Sequence, residues 1–205
     1  MISDKIIEEL RTAIYKQFPE LNAMRQRRTI KCLDLTLRRE YAEQIAAGTK
    51  TVEYRWPIPF WNSKLENPEI DAFLDKNADS LIGLIKKHIP DIDADTASDN
   101  TIAKILPLVN RVETIHFHNY NPNGWRLTVE CTYNNFCTPD NEGREWLHTF
   151  GSYEQDAEFD EWERNGPPIE EREGYYFFAI GRILSAKGLK MNADNTRGVS
   201  KQSDN

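Results

Sequence analysis

The chain has 205 residues, a formal net charge of −7 and 11% aromatic residues. This length can bury one good core, and the aromatic content is too high for a chain that is disordered throughout. The acidic balance argues against sequence-blind binding to long nucleic acids, which relies on a basic surface, but it permits a basic cleft on an acidic body. No run approaches the roughly 18 apolar residues of a membrane span, and the start of the chain lacks the apolar region of a signal peptide. We therefore expect a cytoplasmic protein with no membrane contact.

The first third of the chain predicts a helix followed by a strand–helix–strand unit. Apolar residues recur at three- and four-residue steps until Pro19, which ends the first predicted helix. Gly48 stands where a helix commonly ends in a left-handed residue. The expected elements are a helix over 4–18, a basic connector up to residue 30, a strand over 31–37, a helix over 38–47 and a strand over 49–56.

The rest of the chain predicts a polar, helical insertion and three more strands. The last strand is the most apolar run of the chain and is expected to be buried on both faces. Gly181 inside it predicts a bulge or a close backbone approach. The expected elements are helices over 69–88 and 100–109, a loop over 90–100, a hairpin of strands over 112–119 and 125–133, helical turns over 144–150 and 158–164, and a strand over 175–184.

Five strands with one helix between the first two indicate an α+β protein, built on a small β-barrel with peripheral helices. We divide the chain into an N-terminal helix and connector (1–30), a barrel domain (31–184) containing a helical insertion (67–110), and a disordered tail (185–205).

The segment from Gly48 to Arg55 concentrates charge around the second strand. Because burying charge without partners is costly, its cluster of Lys50, Glu53 and Arg55 requires either open solvent or a cleft. Glu53 and Arg55 are two apart on a strand and share a face, whereas Lys50 reaches that side only if the glycine turn or a bulge redirects it. The alternative is a surface ion-pair network of little energetic value.

The order of elements around this segment resembles the ASCH domain family of the PUA-like superfamily. The residues that carry the resemblance are Gly48-x-Lys50-x-x-Glu53-x-Arg55, the preceding Leu35 to Tyr41, Asn119-Tyr120 after the third strand, Val129-Glu130, and the closing Ile180 to Leu184. It covers about 31–66 and 112–184.

The resemblance implies a PUA-like barrel with a cleft that binds RNA or a nucleotide-like molecule. The ligand-binding residues expected on this basis are Lys50, Glu53, Arg55, Tyr120 and Glu130. Some members of the family are amidohydrolases that deacylate a modified cytidine, and others have been described as ribonucleases. In the amidohydrolase pattern a threonine occupies the place of Glu53, so the nucleophile does not carry over to this chain, where Thr51 is two positions away.

The chemistry of the motif leaves three functions open. The leading one is RNA or nucleotide binding, with Arg55 and Lys50 contacting phosphate or a base edge and Glu53 accepting from an amine or a 2′-hydroxyl. The second is a small hydrolase acting on a modified nucleoside or RNA, with Lys50 and Glu53 as candidate catalytic residues. The third is a protein-interaction module that uses the 67–110 helices. The aromatic candidates for a base-stacking wall are Tyr41, Tyr54, Trp56, Trp61, Tyr120 and Trp125, of which Tyr120 is expected to be the most exposed.

Metal ligands are sparse. His116 and His118 share a strand face and would fit two ligands, but Cys131 and Cys137 match no standard zinc spacing. The acidic 90–100 loop lacks the central glycine and terminal glutamate of a calcium loop. We therefore expect no metal and no cofactor, and we expect the three cysteines to be reduced core residues.

Overall fold

The computed structural model describes residues 3–90, 103–106, 108–138, 141–151, 156–168, 171 and 174–191. Two helices open the chain, α1 (Asp4–Gln17) and α2 (Pro19–Arg27). Pro19 does not lead into a connector but starts α2, because its fixed φ and missing N–H suit the first position of a helix. The predicted basic connector is therefore wrong.

Five strands form one mixed sheet in the order β1-β3-β4-β5-β2. β1 and β3 are parallel, and the other neighbours are antiparallel. The sheet curves into a half-barrel, so the prediction of an α+β protein with a five-stranded, barrel-like sheet is confirmed at that level. The strands are β1 (Leu33–Thr36), β2 (Val52–Arg55), β3 (Thr114–His118), β4 (Arg126–Cys137) and β5 (Tyr175–Lys187).

Further helices that the structure describes from end to end surround the sheet. They are α3 (Arg39–Ala47), α4 (Pro59–Leu65), α5 (Pro68–His88), α6 (Asn141–His148) and α7 (Asp156–Arg164). The elements expected from the sequence do not include α4, which begins at Pro59 because proline suits the first turn of a helix.

Three other boundaries differ from the prediction. Of the helix expected over 100–109, residues 103–105 are helical, but Val109 forms an antiparallel bridge with Glu66, so the helix does not reach residue 109. β5 extends to Lys187, so the chain is still in the sheet where a disordered tail was expected to begin. The predicted loop at 91–100 and the tail from 192 onward lie outside the described residues.

The core has three parts. The inner face of the sheet packs against α3 through side chains such as Leu35, Ile45 and Phe117. A second cluster lies under α6 and α7. The third cluster joins α1 and α2 to α5, so the N-terminal helices pack on the insertion rather than standing apart. Because this contact buries the apolar face of α5, that face is already occupied within the chain. The members of the cluster that joins α1 and α2 to α5 include Leu10, Ile14, Leu21, Ile70, Phe73, Leu81 and Ile85.

The bulge expected at Gly181 is confirmed, and the atoms nearest to the glycine belong to side chains of β4 rather than to its backbone. Val129 lies opposite Ile183 and Cys131 opposite Ile180, so β5 carries an extra residue at this point. A Cβ atom on Gly181 would lie 2.7 Å from Cγ2 of Thr132, which is closer than real contacts allow. A bulge of this kind bends the strand that carries it, which here is β5 within its long pairing with β4.

The three cysteines are free thiols. Cys131 and Cys137 are buried as expected, but Cys32 is exposed, because it lies just before β1 begins. None of the helices in the described part of the chain has both the length and the apolar character that a membrane span requires.

Candidate ligand-binding site

The turn after α3 brings Lys50 to the same side as Glu53. Gly48 is left-handed, with φ 81° and ψ 8°, and caps the helix. The backbone N–H groups of Thr49 and Lys50 both donate to the carbonyl of Gln44, at 3.0 and 3.3 Å. Since β2 begins only at Val52, Lys50 lies in this turn and not in the strand, and strand parity does not separate it from Glu53.

Lys50, Glu53 and Arg55 form one ion-pair network. Lys50 Nζ lies 3.5 Å from Glu53 Oε2, and the Arg55 guanidinium pairs with Glu53 Oε1. The side chains of Lys50 and Glu53 are only 2% and 3% exposed. These exposures place the network inside the protein, where removing a partner is far more costly than on the surface.

Arg55 also connects the two edge strands of the half-barrel. Its Nη2 donates to the carbonyl of Thr36 at 2.9 Å, and its Nη1 donates to that of Tyr54 at 3.0 Å. One guanidinium therefore joins the end of β1 to β2 while it neutralises Glu53.

Lys50 has a second carboxylate partner, Glu158, which comes from α7. The ammonium also lies 5.3 Å from the ring centroid of Tyr41 and 5.2 Å from that of Tyr54, within the range of cation–π attraction. Burial raises the pKa of Glu158, and the Lys50 ammonium opposes that rise. Burial and Glu158 likewise raise the pKa of the Tyr41 hydroxyl.

A cavity of about 240 Å³ opens above this network, between the end of β1, α3, β2 and α7. It is lined by both signs of charge and by aromatic rings. The charged members are Arg38, Lys50 and Arg55 with Glu53, Glu158 and Glu161. The rings are those of Tyr41, Tyr54 and Trp162.

Three of the five predicted ligand-binding residues line this cavity, and two do not. Lys50, Glu53 and Arg55 meet there. Tyr120 lies in the turn between β3 and β4 and is 89% exposed, as expected of it, but it stands apart from the cavity. Glu130 lies on β4, where its carboxylate accepts from Arg182 at 3.0 Å.

The candidate stacking residues divide in a similar way. Tyr41 and Tyr54 line the cavity, whereas Trp61 and Trp125 pack against the core of the sheet. Trp56 is stacked on Trp162, with ring centroids 4.0 Å apart and an interplanar angle of 4°.

Helix α7, which is rich in acidic residues, lines one side of the cavity through Glu158, Glu161 and Trp162. This helix is firmly held, because Phe159 is buried against the Tyr54 ring at 4.9 Å. Arg144 on α6 pairs with Asp160 at 2.6 Å and with Glu163 at 3.2 Å. The helix thus forms a fixed wall of the cavity.

No protein-family model matches the chain, and no curated protein or solved structure matches it. The resemblance to ASCH domains therefore rests on the residues quoted for it and on the element order.

The histidine pair on β3 is engaged in local contacts. His116 Nδ1 lies 3.0 Å from Asp34 Oδ1, and His118 Nδ1 donates to the carbonyl of Asn119 at 2.8 Å. Within the described residues, no three side chains of metal-ligating type are grouped to hold an ion.

Proposed function

We propose that the cavity binds a nucleobase-bearing ligand, either a nucleotide or one unpaired nucleotide of an RNA. The observation that carries this proposal is the burial of Lys50 and Glu53 at the floor of an open cavity with aromatic walls. A buried ion pair is weak evidence for a gain in stability, because desolvation offsets much of the attraction. Its position at the base of a cavity favours a role in recognition.

The lining suits a planar, polar ligand. The cavity is smaller than the 300–1,000 Å³ typical of drug-sized ligand sites, which favours one base with part of its sugar. Tyr41 and Trp162 contribute aromatic surface to the lining, and Glu158 and Glu161 offer acceptors for amine or hydroxyl groups. Arg38 stands at the exposed end with a 75% exposed side chain, where it can meet a phosphate.

A thermal-shift panel of nucleosides, nucleotides and short RNAs tests the proposal. A ligand present at about 100 times its Kd adds about 2.7 kcal/mol of stability, which for a chain of this size raises Tm by roughly 5–11 °C. We expect Arg38→Ala to reduce the shift given by nucleotides without altering the unliganded Tm.

Arg182→Ala is the matched control. Arg182 is also an exposed arginine in a single ion pair, with an 80% exposed side chain, but it lies away from the cavity. The proposal fails if no member of the panel shifts Tm, or if Arg38→Ala and Arg182→Ala weaken binding equally.

A second candidate function, hydrolysis of a modified nucleoside, draws on Glu158. A carboxylate whose pKa is raised by burial, and which faces a ligand cavity beside a lysine, is a fitting general acid or base. Thr51 does not supply a nucleophile there, since its hydroxyl donates to the carbonyl of Gly151 at 2.9 Å and does not line the cavity. The attacking group would then be water.

This candidate predicts turnover of N4-acylated cytidines or short RNAs that is lost in both Glu158→Gln and Glu53→Gln. Binding of the same substrates without any turnover by the wild-type protein refutes hydrolysis and leaves the binding proposal intact.

A further inference from the structure

A transverse row of side chains leads from the cavity across the outer face of the sheet. Thr36, which lines the cavity, pairs in register with His118 on β3. His118 pairs with Arg126 on β4, and Arg126 pairs with Lys187 on β5. Directly opposed residues share a face, so these four side chains, here called the basic row, stand side by side on four neighbouring strands.

The basic row carries positive charge that carboxylates leave uncompensated. Among the described residues, neither Arg126 nor Lys187 makes an ion pair with an acidic side chain, although the chain as a whole has a net charge of −7. The Arg126 guanidinium donates to the carbonyls of Asn121, Pro122 and Trp125, so it is fixed in place and contributes charge rather than free donors. Lys187 is exposed at the far end of the row.

The neighbouring row is different in character. Asp34, His116, Thr128 and Ser185 occupy it in the same register, and its one carboxylate already contacts His116. On the other side, Arg39 of α3 donates to the carbonyl of Gly188 at 3.0 Å and pairs with Glu43. On this part of the sheet the positive charge without an acidic partner therefore lies in the basic row, while Arg38, which pairs with Glu40 at 3.5 Å, stands at the cavity mouth.

An exposed aromatic ring lies beside the row. Tyr120 follows His118 by two residues, in the turn whose carbonyls hold Arg126. With 89% of its surface accessible, it is the most exposed of the large hydrophobic side chains described. A cationic track with an exposed ring next to it is the arrangement that binds single-stranded nucleic acid.

From this juxtaposition we infer that the basic row binds the phosphates of a single-stranded RNA, and we call it a phosphate track. The RNA places one nucleotide in the cavity, its backbone follows the row from Thr36 towards Lys187, and one of its bases stacks on Tyr120. This inference rests on the proposed function of the cavity. Three strand spacings of about 4.8 Å make the row about 14 Å long, which accommodates roughly two to four nucleotides.

The experiment compares a ribonucleoside 5′-monophosphate with the corresponding tetraribonucleotide, using labelled tetranucleotide at several salt concentrations and the mononucleotide as competitor. For single strands each phosphate contact contributes about −0.7 to the slope of log K against log salt, which corresponds to about fivefold in affinity at 0.1 M salt. We expect Lys187→Ala to weaken the tetranucleotide by about that factor and to reduce the slope by about 0.7. Tyr120→Ala should weaken it by about fivefold or more.

Neither variant should change the affinity for the mononucleotide, and the control Arg182→Ala should change neither ligand. Lys187→Glu, which reverses the charge at an exposed position, should weaken the tetranucleotide further. Equal affinity for the mononucleotide and the tetranucleotide, or a tetranucleotide affinity insensitive to Lys187, overturns the phosphate track and leaves the cavity proposal standing. Absence of binding by both ligands refutes the cavity proposal and the track with it.

Discussion

Replacing Lys50 by methionine tests the buried ion network, since Met keeps the length of the side chain and removes its charge. Lys50 lies between Glu53 and Glu158, with 2% of its side chain exposed. Glu53 would keep Arg55 as a partner, but Glu158 would lose the one cation that pairs with it among the described residues and would face the charge of Glu53. Breaking a buried pair by removing one partner costs about 3–5 kcal/mol, and we expect Lys50→Met to lower the free energy of unfolding by about 3 kcal/mol or more.

A double variant tests whether the loss of stability comes from the unpaired carboxylate of Glu158. If the cost comes from an uncompensated carboxylate, adding Glu158→Gln to Lys50→Met should restore part of the lost stability, so the double variant should be more stable than Lys50→Met alone. Denaturant unfolding followed by tryptophan fluorescence measures the stability of both variants and of the wild type.

The matched surface control is Lys31→Met. Lys31 pairs with Glu113 at 2.8 Å, but its side chain is 78% exposed, so its loss should cost less than about 1 kcal/mol. A double variant that is less stable than Lys50→Met, or a cost no larger than that of Lys31→Met, would refute the account of a buried network.

Two further predictions follow from single residues. The folded-state pKa of Glu158 lies above its ordinary value, so the folded protein binds more protons than the unfolded chain between the two pKa values, and stability should fall as pH rises through that window. Glu158→Gln should remove this part of the pH dependence in unfolding measurements from pH 4 to 8, and an unchanged profile would contradict the assignment. Gly181→Ala should lower the free energy of unfolding by about 1–3 kcal/mol, because its Cβ would collide with the Thr132 methyl group. Thr132→Ser removes that methyl group and should relieve part of the cost, whereas equal costs of Gly181→Ala in both backgrounds would show that the collision is not the cause.

Local chemistry accounts for what the sequence predicted well. The left-handed Gly48, the alternation of Leu33 and Leu35 in β1 and the bulge at Gly181 each depend on residues close together in the chain. The errors at Pro19 and Pro59 have a local cause too, since a proline that ends one segment is equally suited to start a helix.

The candidate site was only half accessible from the sequence. Lys50, Glu53 and Arg55 lie in one short segment, and three charged residues in and beside a strand indicated a candidate site. Glu158 is 108 residues from Lys50 in the sequence. It lies among several other acidic residues of α7, so the sequence alone does not distinguish it from them. Trp162 shares that helix, and only its spacing of four residues from Glu158 hinted that the two lie on one face. Contacts of this range depend on how α7 docks, which no local pattern encodes.

The most direct test of the proposed function is a titration of nucleotides into protein labelled with ¹⁵N, following the indole N–H signals of its five tryptophans. Trp162 lines the cavity, whereas Trp125 is buried against the core of the sheet and serves as the internal reference. Binding in the cavity predicts that the Trp162 signal shifts in a saturable manner while the Trp125 signal stays in place. Saturable binding that leaves Trp162 unmoved, or no response to any nucleotide, would contradict the proposal.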